Sequence, residues 1–357
     1  MKKIFILIAL FVLLLCACQK RTSIILSGEI DVESTIALAD SAYDREDYET
    51  ALYYYLQLED YFNVYGNGTE DQANLYNTIG KCYRSVYDKE MEKKYFEKSA
   101  EICEKLELDE LNYDNCWHLA SLYNDNNPEN SDKALKFAKR SEQAAEQFSG
   151  KDSFEVGEAY IRQGQIYVKR KEFEKSLIYF QDALGIMEKT RGEESDETAA
   201  VYINLGKLYD EMEKYDDAIS YLEQAEKILK SNQNNFKLGQ AYLNMAEIYT
   251  RKKEYEKSIQ YCDYCIELYR ENNIINMDLA HCHLEKAVAA YYLSDNDMVE
   301  KELVESYQVC EAQPKKSVLA NNMKSLLKEQ AEVYYDYRFK GDKSSGFEAW
   351  YQELIAD

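Results

Sequence analysis

The sequence predicts an all-α chain built as a stack of about eight helical hairpins, and three observations lead there. A small residue, usually followed three positions later by tyrosine, recurs along nearly the whole chain at a spacing of 40 to 44 residues. Each copy reads as two amphipathic stretches, with apolar residues three and four apart on one face. Helix breakers are scarce, 13 Gly and 2 Pro in 357 residues, with 46% apolar residues, which suits a large helical protein and leaves little room for disorder.

The chain opens with MKKIFILIALFVLLLCACQK, two lysines followed by an apolar run from Ile4 to Ala17. That run is shorter than the ~20 residues of a membrane-spanning helix and reads as a secretory signal. Leu15-Cys16-Ala17-Cys18 resembles the bacterial lipobox, a Leu three residues before and a small residue immediately before a cysteine that becomes the lipidated first residue. The resemblance implies a signal peptide over 1–17, lipid on Cys18 and attachment to a bacterial membrane. Residues 18–32 carry no helical period and read as a tether. No acidic run follows Cys18, which favours a periplasm-facing position if the source is of the Bacteroidetes kind.

From Glu33 onward the pattern repeats. Aligning each copy on its small residue gives Ala39, Gly80, Ala120, Gly164, Gly206, Ala246, Ala287 and Ala331, and tyrosine follows at Tyr83, Tyr123, Tyr167, Tyr209, Tyr249 and Tyr334. The clearest copy is Tyr202 to Ala225. There Gly206 on the first helix and Ala218 on the second let two helices approach, while Tyr202, Tyr209, Tyr215 and Leu222 fill the space around them. In the second helices an aromatic precedes a small residue by three: Tyr48 and Ala51, Phe173 and Ser176, Tyr215 and Ala218, Tyr255 and Ser258. One hairpin cannot bury its apolar face alone, so neighbours must stack on it.

These positions resemble the tetratricopeptide repeat, W-x2-L-G-x2-Y followed by A-x3-F. The resemblance covers 33–357 and implies a right-handed α-solenoid with a concave groove lined by the first helices. Two features depart from the family pattern: the period exceeds 34, and no proline closes each unit, so longer helices are expected. HEAT and armadillo repeats share such periods but lack the Gly-x-x-Tyr signature. Ala290 stands where the seventh copy should have tyrosine, Glu92 where the second should have a small residue, and NDNNPENSD interrupts the third around Pro128.

Charge and missing motifs exclude several functions. The net charge is −23, and loss of Lys2 and Lys3 with the signal leaves 41 basic against 66 acidic side chains, or −25. Such a surface repels phosphate backbones, so nucleic acid is excluded as a partner. Only three histidines occur, with no Gly-rich phosphate loop, no H-E-x-x-H and no recognisable nucleophile and base pair. The expectation is a protein without catalytic activity or cofactor.

Seven cysteines follow Cys18, an odd number that cannot all pair: Cys82, Cys103, Cys116, Cys262, Cys265, Cys282 and Cys310. Cys262 and Cys265, with His281, Cys282 and His283 downstream, have the residue types of a zinc site. Their register instead matches Leu222 and Ala225, the packed face of a second helix, where a thiol behaves as a small apolar group. Packing is the leading reading, with a disulfide or a metal as alternatives.

Function is therefore expected on the groove. In peptide-binding members of the family the residue two before the small position faces the ligand, often as asparagine. Here the resemblance carries that row over to Thr78, His118, Arg162, Asn204, Asn244 and Glu285. One residue after the small position come Lys81, Ser121, Gln165, Lys207, Glu247 and Val288. Asn204 and Asn244 could pair with both N–H and C=O of an extended peptide. Arg162, Lys169 and Lys207 put positive charge in a negative protein, suited to an acidic peptide or a terminal carboxylate. Tyrosine is abundant, 33 against 12 Phe, and runs such as Tyr53-Tyr54-Tyr55 and Tyr291-Tyr292 must leave some rings exposed as a second contact region. The leading expectation is a membrane-anchored scaffold for a protein or peptide. Alternatives are a sensor or accessory subunit of a signalling system, or a glycan-binding lipoprotein, although only Trp117 and Trp350 could serve as sugar platforms.

Overall fold

The computed structural model describes residues 31–124, 128–314, 317–339 and 346–356. The signal segment, Cys18 and most of the tether lie outside the described residues. Two compact units, Met1–Phe148 and Ser149–Asp357, divide the chain. The first contains α1 (Val32–Asp44), α2 (Tyr48–Tyr65), α3 (Glu70–Ser85), α4 (Lys89–Leu106), α5 (Asp109–Tyr123) and α6 (Pro128–Phe148). The second contains α7 (Phe154–Lys169), α8 (Phe173–Arg191), α9 (Asp196–Glu211), α10 (Tyr215–Asn232), α11 (Asn235–Arg251), α12 (Tyr255–Glu271), α13 (Met277–Tyr292), α14 (Asn296–Glu311), α15 (Val318–Arg338) and α16 (Phe347–Leu354). Among the described residues consecutive helices pack as antiparallel pairs, three hairpins in the first unit and five in the second, and no strand occurs. Each unit is a tetratricopeptide-like stack. No helix among the described residues is long and apolar enough to cross a membrane.

All eight register residues fall on the odd-numbered helices. The long period is taken up by the helices themselves: α2, α4, α6, α8 and α10 each run 18 to 21 residues. Asp31, Asp47, Thr69, Asp88, Ser153, Ser195 and Asn234 cap the helices that follow them by accepting a backbone N–H.

The turn inside the hairpin repeats as faithfully as the helices. Glu46, Tyr87, Lys171, Glu213, Lys253 and Ser294, each seven residues after the register position, all take the left-handed conformation. The next residue donates its N–H back into the first helix, as in Asp88 N to Tyr83 O at 2.9 Å and Lys214 N to Tyr209 O at 2.9 Å. This Schellman-type closure satisfies the terminal carbonyls without glycine, which normally occupies the left-handed site.

Close approach within the hairpins occurs at the register residue. A Cβ on Gly164 would stand 2.5 Å from the Phe180 ring, and one on Gly206 would stand 2.8 Å from Leu222 and 3.3 Å from the Ala218 carbonyl. Around this contact sits a tyrosine clasp. Tyr83 stacks on Tyr95, Tyr167 on Tyr179, Tyr209 on Tyr221 and Tyr249 on Tyr261, with centroids 5.2 to 5.5 Å apart. Tyr76, Tyr160, Tyr202 and Tyr242 close the other side of the same rings. Buried hydroxyls find carboxylates, as Tyr95 donates to Glu59 at 2.7 Å and Tyr334 to Glu300 at 2.8 Å.

The irregular copies have physical explanations. In the seventh hairpin His283, Ala290 and Glu302 occupy the three clasp positions. His283 Nδ1 lies 2.6 Å from Glu302 Oε2, and Lys286 Nζ lies 2.9 Å from Glu302 and 2.7 Å from Asp263, so a buried ionic cluster replaces the stacked rings. In the second, Glu92 is 5% exposed and Arg84 lies 3.9 Å away; burial raises its pKa against the pull of Arg84 and Lys89. Tyr53 and Tyr292 are exposed while Tyr55 is buried, as their adjacency requires.

Candidate functional site

Register residues on α7, α9, α11 and α13 of the second unit bring their flanking side chains onto one face, where they bond from helix to helix. Arg162 Nη1 donates to Gln165 Oε1 at 2.9 Å, and Gln165 Nε2 donates across to Asn204 Oδ1 at 2.9 Å. Arg251 contacts Asp210, Gln240 Nε2 donates to Asp278 Oδ2 at 3.1 Å, and His281 Nε2 lies 3.6 Å from Glu247 Oε1. Asn204 and Asn244 therefore share a face, but their states differ.

Asn204 is satisfied within the protein. Its Oδ1 accepts from Gln165 and its Nδ2 donates to its own helix at Ala200 O, 2.8 Å away. Asn244 is 8% exposed, and its Nδ2 is shielded from solvent with no acceptor among the described residues. A buried donor left unmade costs about 1–3 kcal/mol.

The electrostatics around Asn244 differ from the expectation of a basic groove. Arg162 is engaged by Gln165, while Lys207 is exposed and makes no ion pair among the described residues. Glu247, one turn from Asn244, has a side chain only 23% exposed. Burial pushes its pKa up to about 7, helped by Glu285, Asp278 and Glu211 and opposed by Lys207. His281 is held below its ordinary pKa by burial, against the pull of Glu285 and Asp278. Among the described residues the centre of this face is thus a carboxylate cluster beside the exposed Lys207.

Glu247 makes a pH prediction with a definite sign. Its folded pKa lies above the unfolded value, so the folded state favours the proton, and stability is lost as pH rises from the ordinary carboxylate range through about 7. Between pH 5 and 8 the unfolding free energy of the wild type is expected to fall by about 2 kcal/mol more than that of Glu247→Gln, measured by urea titration.

Thr78 and His118 belong to the first unit. Thr78 Oγ1 donates to Asn74 O at 3.0 Å. His118 is 8% exposed, stacked on Phe96 at 4.9 Å, with Arg84 Nη1 2.9 Å from Nδ1 and Asp114 Oδ1 3.4 Å from Nε2. Burial works to raise the Asp114 pKa, but bonds from His118, Lys81 and Asn77 outweigh it and hold the carboxyl well below its usual range. Arg84, His118, Asp114, Lys81 and Asn77 thus form a partly buried network between α3 and α5, and Thr78 bonds within its own helix.

All seven described cysteines are buried and free. Cys262 and Cys265 lie on the packed side of α12, and Cys282 Sγ touches Cys265 Sγ at 2.7 Å. His281 turns to Glu247 and His283 to Glu302, so the histidines diverge from the thiols. Among the described residues no three potential ligands gather around one point.

Two family profiles, both described as tetratricopeptide repeat, match residues 155–231 and residues 73–106 and 239–272. No curated protein matches the chain. Among solved structures, a Rap protein complexed with competence and sporulation factor is similar at 16% identity and TM-score 0.57, over 95% of this chain and 96% of that one. Aspartyl phosphate phosphatase F from Bacillus subtilis is similar at 15% identity and TM-score 0.53, over 91% and 94%. A signal transduction ATPase with a tetratricopeptide repeat sensor, from Pyrococcus horikoshii, is similar at 18% identity and TM-score 0.55, over 87% of this chain and 46% of that one. At these identities the likeness is one of fold. The chain carries tetratricopeptide repeats, matched over residues 73–106, 155–231 and 239–272, within a longer array of helical hairpins.

Proposed function

We propose that the first-helix face of the second unit binds an extended segment of a partner protein, with no chemistry of its own, and that lipid on Cys18 holds the chain at a bacterial envelope membrane. The observation that carries the binding reading is Asn244, whose buried amide nitrogen has no acceptor among the described residues, on the face where successive repeats align their polar side chains. A backbone carbonyl of an extended segment supplies that acceptor whatever the segment's sequence. Lys207 receives an oxygen anion from the same segment, and Gln165 can release Asn204 to hold a second peptide group. Support also comes from the similar Rap protein, which was crystallised with competence and sporulation factor. For the anchor, support is the Leu15-Cys16-Ala17-Cys18 box after a short apolar run.

One experiment tests both parts. A photo-crosslinking side chain at position 207 in the full chain is expected to give one discrete adduct in the membrane fraction, and a probe at exposed position 227 on α10 should give none. Cys18→Ala should move the protein to the soluble fraction and abolish palmitate labelling. Identical adducts from both probes would overturn the binding face. Unchanged labelling and fractionation would overturn the anchor.

A further inference from the structure

We propose that Cys265 and Cys282 are a cross-linking pair, which on oxidation forms a disulfide fastening α12 to α13. They stand 17 residues apart in sequence, on the two neighbouring helices that join the sixth hairpin to the seventh, and their sulfurs are already in contact. Both are fully buried in one apolar cluster with Ile266, Tyr269 and Leu279, so no water competes for the sulfurs. Other thiols are differently engaged: Cys103 Sγ accepts from Asn115 and lies by Ser99, and Cys116 Sγ donates to Asn112 Oδ1. Cys262 lies on the same face of α12, yet the sulfur in contact with Cys282 is that of Cys265.

The chemistry needs a disulfide of a small molecule or of a thiol-exchange protein as oxidant. One cysteine loses its proton and attacks that disulfide, forming a mixed disulfide and releasing one thiol. The second cysteine loses its proton and displaces the other oxidant sulfur. Two electrons and two protons leave the pair, and the oxidant is reduced to two thiols. In the closed fold burial keeps the Cys282 thiol protonated, so exchange belongs to the folding stage, before α13 docks. The cross-link fixes the helix that carries His281 and Glu285 to the binding face.

The test does not depend on where the protein resides. The full chain is unfolded, refolded in oxidised and reduced glutathione, then alkylated and mapped without reduction. The expected result is one Cys265–Cys282 peptide, five alkylated cysteines besides it in the mature chain, and a melting midpoint about 5 °C above that of the reduced protein. Cys265→Ser and Cys282→Ser should each lack the linked peptide and the shift. Reduced protein that has already folded should resist the same buffer. Full alkylation of all seven thiols after oxidative refolding, or a pair involving Cys262, would overturn the proposal. The wild-type comparison with and without reductant decides the matter even if a serine variant fails to fold.

Discussion

Glu302→Ala is expected to destabilise the second unit by about 3 to 5 kcal/mol, the cost of leaving a buried charge without its partner. Glu302 is 2% exposed and takes His283 at 2.6 Å and Lys286 at 2.9 Å. Lys286 keeps Asp263 at 2.7 Å, but its side chain is only 12% exposed, so loss of Glu302 strands much of its charge in the core. The pH dependence distinguishes an ionic cluster from simple packing. Burial would raise the Glu302 pKa, yet the bonds from His283 and Lys286 outweigh it and leave the pKa lowered. A folded pKa below the unfolded value gives stability that is present above the ordinary carboxylate pKa and lost as pH falls through the folded one. Urea titration should therefore show a steeper loss below about pH 4 in the wild type than in Glu302→Gln. Equal acid limbs would reduce the cluster to a packing feature.

Gly164→Val should cost about 3 kcal/mol, near the upper end for overpacking. Its added carbons meet Phe180 Cε1, Cδ1 and Cζ within 2.5 to 2.9 Å, and that ring is 1% exposed in the core between α7 and α9. Gly185, in the interior of α8, is the control, since a Cβ added there would meet nothing within 4 Å. Gly185→Ala should stabilise by about 0.5 to 1 kcal/mol, because only the helix-propensity gain remains. Melting of the two variants side by side separates close approach from glycine's general cost; a neutral Gly164→Val would refute the contact.

The register is readable from the chain because close approach constrains residue type directly. Gly206 and Ala218 have to be small, and the structure puts Leu222 and the Ala218 carbonyl against Gly206. A second small position, seven residues earlier, is harder to read because its residues vary: Ala73, Gly157, Ala199, Gly239 and Ala280. Gly239 shows its role, since a Cβ there would lie 2.2 Å from the Tyr269 ring, whose hydroxyl donates to Phe236 O at 2.9 Å. The left-handed turns are hidden for the opposite reason: Glu213, Lys253 and Tyr87 carry no turn signature. In sequence His283 shows only as a metal-type residue, because its partner Glu302 comes from the next helix.

The candidate face is legible in position but not in state. Spacing places Asn204, Asn244, Lys207 and Glu247 together, while hydrogen bonding depends on neighbours that spacing cannot rank. Gln165 happens to reach Asn204, and among the described residues no acceptor reaches the Asn244 amide nitrogen. Likewise the positive charge looks concentrated in sequence, but Glu211, Asp278 and Glu285 act on the same buried Glu247 carboxylate as Lys207 does.

The central claim, that the unpartnered Asn244 amide is made for a ligand backbone, is tested most directly by the affinity of Asn204→Ala/Asn244→Ala for the segment cross-linked at position 207. The account predicts at least about a tenfold loss, on the order of 1.4 kcal/mol. For Asn244→Ala alone it also predicts a melting curve unchanged or slightly raised, because a buried unsatisfied donor has been removed, whereas the double variant also loses the Gln165–Asn204 bond. Equal affinity of the double variant and the wild type would contradict it.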